Sequence, residues 1–283
     1  MNIDRRLIYL FVFLSLAVPL LTQWSLPAAR MEQAESFYKL IDNTQVQAPN
    51  VAFVALDFGP SLVAENGTQA EVAIEHLMRK RTPFAVFSLY IQAEPFLKSI
   101  PERVSARLMK EQPGQSWQYG RDWINLGYRP NGALMLQGMQ KSDDIAKLLA
   151  TDAQGTKLSE IALFQGVKTL ENIKLLVEIS GLSGMFETYV ALFQKDNYRP
   201  AMAHGCTSIS IPDAYTFLDS GQLGGLLEGI AGAAWYSSLL QQNFPQRLAD
   251  RSGVMNTALG VAHGVILLLI LFGNLTVFMR KKS

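Results

Sequence analysis

Asp57, Ser183 and His204 are side chains of the types that carry hydrolytic chemistry, and each falls at the end of, or just beyond, a short apolar run. Together they would supply an orienting acid, a nucleophile and a base. Asp57 closes the run VAFVALDF of residues 51–58, and an anion directly after a first strand can hold a cation or the partner of a nucleophile. The second acid of a DxD pair is missing, since Gly59 stands there, so a turn closed by Gly59 and Pro60 with Asp57 capping backbone amides is an equal reading. Ser183 lies in SGLSG, which departs from the GxSxG nucleophile elbow because a glycine follows the serine at once. It is also placed to cap a helix starting near Met185.

The remaining chemistry-bearing residues form no complete motif. His204, Asp57 and Glu178 could share a metal only if their strands are neighbours, and their mixed types and unrelated spacings leave no metal site expected. His76 sits within a helical pattern beside Arg79 and Lys80, where a solvated face is the default. No GxGxxG follows the first strand, and GQLGGLLEG at 221–229 lacks the Lys-Ser/Thr of a phosphate-binding loop, so no cofactor is expected either. Cys206 is the only cysteine, which rules out an intrachain disulfide. It reads as a small buried residue near a strand end.

The elements that must position these groups alternate. Residues 51–58, 84–91, 123–128, 175–180 and 201–206 read as strands, the first two as nearly continuous apolar runs suited to burial on both faces. Between them lie helical patterns: 68–81, opened by a Thr68/Glu71 capping box, 95–110, and 185–194. Residues 133–139 fit a strand or a helix equally. Strand and helix in turn predict an α/β domain, a doubly wound, mostly parallel, Rossmann-like sheet. Its ligand groups would then gather at the C-terminal strand ends. A last helix over 222–240 would carry Gly224, Gly225, Gly229 and Gly232, a small-residue surface for packing on the sheet or on another subunit.

Both ends are apolar. Residues 7–26 and 258–279 are long enough to cross a bilayer, and the basic residues outside them, Arg5 and Arg6 at one end and Arg280, Lys281 and Lys282 at the other, place both termini in the cytoplasm. One transmembrane helix would thus flank each side of the domain. The expected division is a cytoplasmic 1–6, a span at 7–26, a helical linker at 27–49, an extracytoplasmic domain at 50–241, a juxtamembrane linker at 242–257, a span at 258–279 and a cytoplasmic tail at 280–283. A cleaved signal peptide is the rival for the first span, but the segment around Pro27, Ala28 and Ala29 lacks a small-x-small cleavage pattern. Gly260 and Gly264 in the second span have the spacing of helix-association motifs, and His263 and Asn274 are polar interruptions there. With a net charge of +1 and no clustered basic face, nucleic acid is not an expected partner.

The strings LDFGPS at Leu56, NLGYRPNGA at Asn125 and SGQLGGLLEGIAGAAWY at Ser220 resemble those of an uncharacterised bacterial family of membrane-anchored proteins with an extracytoplasmic Rossmann-like α/β domain. The resemblance spans most of the middle of the chain. It implies this architecture and a location in the bacterial envelope, where the two spans predict the inner membrane, and it transfers no catalytic residue. The expected function is a ligand- or protein-binding scaffold in an envelope assembly, with the lipid bilayer and other envelope proteins, a second copy included, as partners. The alternative is an envelope hydrolase using Asp57, Ser183 and His204.

Overall fold

The computed structural model describes residues 5–195 and 197–280. Lys281 and Lys282 of the basic tail therefore lie outside the described residues. Six strands form one all-parallel sheet: β1 (Val51–Asp57), β2 (Phe84–Ser88), β3 (Trp123–Tyr128), β4 (Ile173–Ser180), β5 (Ala201–Cys206) and β6 (Gly225–Glu228), in the order β3-β2-β1-β4-β5-β6. The order reverses between β1 and β4, which is the switch point of a doubly wound sheet. All seven residues of β1 are buried, as a central strand covered on both faces requires.

One face of the sheet is covered by α2 (Glu32–Asn43), α3 (Thr68–Arg79), α4 (Glu94–Glu111) and α9 (Gly229–Asn243). The other carries α5 (Gly132–Lys141), α6 (Ile145–Leu149), α7 (Met185–Leu192) and α8 (Ile211–Asp219). Alternate residues of each strand feed the two cores: Ala52, Val54 and Leu56 of β1 point to the first, Val51, Phe53 and Ala55 to the second. Two long helices lie outside this sandwich, α1 (Arg5–Thr22) and α10 (Ser252–Arg280), both long and apolar enough to cross a membrane. They pack on each other, and α10 also packs on α9.

Three local expectations need correction. The proposed helix over 222–240 is a strand and a helix in succession, β6 then α9. Gly225 lies so close to α2 that a Cβ there would run into the Phe37 backbone, and the Gly224 N–H donates to the Met202 carbonyl at 2.9 Å. No capping box opens α3, because the chain enters it through a π-helical turn, Val63–Gly67. Thr68 Oγ1 instead donates to the Glu65 carbonyl at 2.7 Å, and Glu71 pairs with Arg103 at 2.6 Å. Finally, His76 is buried rather than solvated, its Nδ1 lying 2.6 Å from the Tyr236 hydroxyl and its ring stacked on Tyr38. Burial pushes its pKa down to about 4. The ambiguous run at 133–139 is helical, within α5.

Candidate functional site

Asp57 ends β1 at the switch point with no exposed surface. Three donors from within the chain hold its carboxylate: Ser88 Oγ and the Leu89 N–H each donate to Oδ1 at 2.7 Å, and the Tyr189 hydroxyl donates to Oδ2 at 2.8 Å. Burial pushes its carboxyl above the ordinary range, against the pull of these hydrogen bonds. The residue is a joint between β1, the end of β2 and α7, and among the described residues no hydrogen bond joins it to His204. It caps a backbone amide, but that of Leu89 after β2 rather than one in its own DFGP turn.

His204 has a different acid beside it. β4 separates β1 from β5, and its Glu178 is the register partner of His204. His204 Nδ1 lies 2.5 Å from Glu178 Oε2. The contact is close but poorly aligned for a hydrogen bond to the carboxylate, and Nδ1 also lies 3.3 Å from the Glu178 carbonyl oxygen. Phe186 of α7 stacks on the imidazole with ring centroids 4.3 Å apart. Burial, helped by the nearby charges of Asp57 and Glu187, raises the Glu178 carboxyl to about 7 against the pull of His204.

Ser183 is exposed in the turn between β4 and α7. The residue preceding α7 is Gly184, in the left-handed region at φ 78°, and Ser183 does not cap the helix. Ser183 shares a crevice with His204, Ser180, Glu187, Ser210 and Asp213, which encloses only about 20 Å³, room for no more than a water molecule. The structure thus brings Ser183 and His204 to one crevice and leaves Asp57 out of it. Cys206 is fully buried at the end of β5, and burial pushes its thiol up to about 12, well away from reactivity. Among the described residues no three His, Cys, Asp or Glu side chains are arranged to hold a metal ion.

No protein-family model, curated protein or solved structure matches the chain. The site must be read from its own geometry.

The open space at the C-terminal strand ends lies on the other side of Asp57. A groove of about 840 Å³ runs past the ends of β1 and β2 and along β3, lined by Pro60, Ile91, Gln92, Glu94, Lys98 and Asn125 among others. A second hollow of about 400 Å³ shares Lys98, Asn125 and Ala153 with it and adds Glu102, Tyr119, Trp123 and Gln154. The combined lining mixes amides, one ammonium, carboxylates and aromatic faces, which suits a ligand with hydrogen-bonding groups along an apolar body. Sequence reasoning missed this groove. It depends on a register shift in the β2/β3 pairing after Val86 and on Gly127, at φ 79°, whose N–H turns to the Asn125 side chain at 2.8 Å. Neither feature has a sequence signature beyond a glycine in a strand.

Of the glycines expected to form an interaction surface, Gly224, Gly225, Gly229 and Gly232 serve contacts within the chain. Side-chain atoms of Leu40 crowd Gly224, Ser208 and Glu65 crowd Gly229, and the Leu227 backbone lies against Gly232. Gly260 and Gly264 on α10 have open space around them.

Proposed function

We propose that the chain is a two-span protein of the bacterial inner membrane whose α/β domain, outside the cytoplasm, binds a ligand or an envelope protein in the groove beside β3. The observation that carries the binding role is the contrast at the strand ends. The titratable groups there, Asp57, Glu178 and His204, are engaged with one another's elements under α7, while the groove next to them stands open. Anchoring draws support from α1 and α10, whose leucines and phenylalanines are largely bare of protein contact. The Leu26 N–H donates to Thr257 Oγ1 at 2.8 Å, so the end of α1 meets the start of α10. A helix so packed on α10 is better suited to a retained anchor than to a removed leader. This hairpin also puts Arg5, Arg6 and Arg280 at the same end, in keeping with a cytoplasmic location for both termini.

A photo-crosslinking residue placed at Gln92 or Lys98 of the full chain in native membranes tests the groove. Discrete adducts are expected there and not from Lys110 at the far end of α4. Identical patterns from all three positions would sink the reading.

One contact favours a second reading, an envelope hydrolase in which Glu178 rather than Asp57 orients His204 toward Ser183. Its signature would be labelling by a fluorophosphonate probe that disappears in both Ser183→Ala and His204→Ala. The binding reading expects no labelling of the parent chain.

A further inference from the structure

Both long helices join the domain at the edge formed by the C-terminal strand ends. α2 ends where β1 begins, so it runs opposite to that strand and its first residue, Glu32, lies at this edge. α1 reaches it through residues 23–31. α10 starts beside Ser237, whose hydroxyl donates to Asp250 at 2.7 Å, and it packs along α9. Residues 230, 234, 237 and 241 share one face of α9. Ile230 and Ala234 are buried there, whereas Gln241 and the following Gln242 are exposed. α10 therefore climbs from Ser237 toward Gly229, the residue that follows β6, and leaves the domain beyond it.

The same edge carries bare apolar side chains. The strands end in one row, with Asp57, Ser180, Cys206 and Glu228 as successive register partners and Ser88 beside Tyr128. The connections leaving that row expose Val63 after β1, Ile91 after β2, Leu134 in the first turn of α5 and Ile209 after β5, at 40, 51, 68 and 90%. Trp24 and Leu26 are exposed where α1 gives way to its linker, beside Thr257. A tryptophan at the end of a span is a marker of the membrane–water interface.

We propose that the domain rests on the outer surface of the bilayer by this edge, with Val63, Ile91, Leu134 and Ile209 seated at the boundary of headgroups and acyl chains. The inference rests on the reading of α1 and α10 as membrane spans, which puts lipid on the side of the domain from which they leave. Lipid is the occupant because the spans hold this edge against it whatever else is bound, at a high effective concentration. The contact is apolar. The edge carries carboxylates such as Glu94 and Asp213 and, among the described residues, no basic cluster to attract anionic headgroups. Ile91 also lines the groove beside β3, so the mouth of the groove opens toward the headgroups and its ligand would arrive from the membrane surface.

Single cysteines carrying a fluorophore test this in the full chain, reconstituted in vesicles of phosphatidylethanolamine and phosphatidylglycerol. Cys206 is buried, so the parent chain serves as the unlabelled control. Ile91→Cys, Leu134→Cys and Ile209→Cys report on the edge. Met109→Cys and Leu248→Cys report on the opposite end, where α4 finishes and Leu248 meets Glu111. Leu268→Cys reports on α10. Nitroxide-bearing phospholipids should quench the three edge labels several-fold more than the two far labels, in low and high salt alike. A water-soluble nickel chelate should give the reverse order. Equal lipid quenching at the two ends, or edge labels shielded from both quenchers as a covering protein would shield them, overturns the docking. The label on α10 separates the claims. Lipid quenching there without quenching at the edge refutes only the docking, whereas no lipid quenching there refutes the spans and the docking together.

Discussion

Glu178 is a carboxyl with no exposed surface, flanked by Asp57 from β1, Glu187 from α7 and His204 from β5. In the unfolded chain it would titrate near the ordinary glutamate value of about 4.3. In the fold, burial raises it to about 7. Between these values the unfolded state has released a proton that the folded state keeps, so stability falls as pH rises through this window and levels off above it. Asp57 is shifted the same way and adds a slope of the same sign. Glu178→Gln removes the Glu178 proton linkage while keeping the shape of the side chain. The variant should therefore gain on the parent by on the order of 1–3 kcal/mol between pH 4.5 and pH 8. Melting temperatures of both proteins in detergent at the two pH values would show it. Parallel pH profiles would mean that Glu178 is not the linked group.

At the scale of elements, β6 shows what a tertiary contact can impose on a sequence that reads otherwise. GLLE is too short for a period, and the small residues around it fit a packed helix equally well. What decides the matter is α2, because Gly225 lets the β6 backbone lie against that of Phe37. Gly225→Ala should therefore cost several kcal/mol, since rigid backbone rather than a flexible side chain must yield. The full-length variant should be cleaved by protease much faster than the parent. Unchanged resistance would show that α2 can move aside freely.

The same dependence explains what was legible in the sequence. β1 and β2 announce themselves as continuous apolar runs, and the alternation of strand and helix is enough to predict a doubly wound sheet. Glu178 was legible beside His204 and Asp57 only on condition that their strands are neighbours. Only the strand order, which places β4 between β1 and β5, replaces Asp57 with Glu178 beside His204. The burial of His76 was likewise hidden, because α2 and α9 cover a helix face that Arg79 and Lys80 make look solvated.

For the molecule as a whole, the consequential contact joins the domain to its long helices. Arg247, in the connection between α9 and α10, donates to both oxygens of Glu75 on α3, at 2.6 and 2.8 Å, and pairs with Asp250. Arg79 and Arg107 converge on the same Glu75 at 2.7 and 2.6 Å, while Glu111 of α4 accepts from the Leu248 N–H at 2.8 Å. Burial would push the Glu75 carboxyl up, but the hydrogen bonds and charges of these arginines outweigh it and hold the carboxyl below its usual range. A connection fixed at so many points transmits the orientation of α10 to the sheet, and with it the direction in which the groove faces. Arg247→Ala leaves Glu75 with two arginines and Phe244 under Arg79, but it removes the ion pair that ties the connection to α3, at a cost of about 3–5 kcal/mol. On the proposed reading of α10 as a membrane span, release of the domain from membranes by chymotrypsin, whose sites the substitution leaves intact, should accelerate in this variant. Arg247→Lys, which keeps the charge but not the two-pronged geometry, should fall between it and the parent. If Arg247→Ala releases the domain no faster than the parent does, the Arg247 clasp does not fix the domain to its long helices, and the orientation of the groove must be set by the remaining contacts, the Leu248–Glu111 hydrogen bond, Phe244 under Arg79 and the packing of α9 on α10.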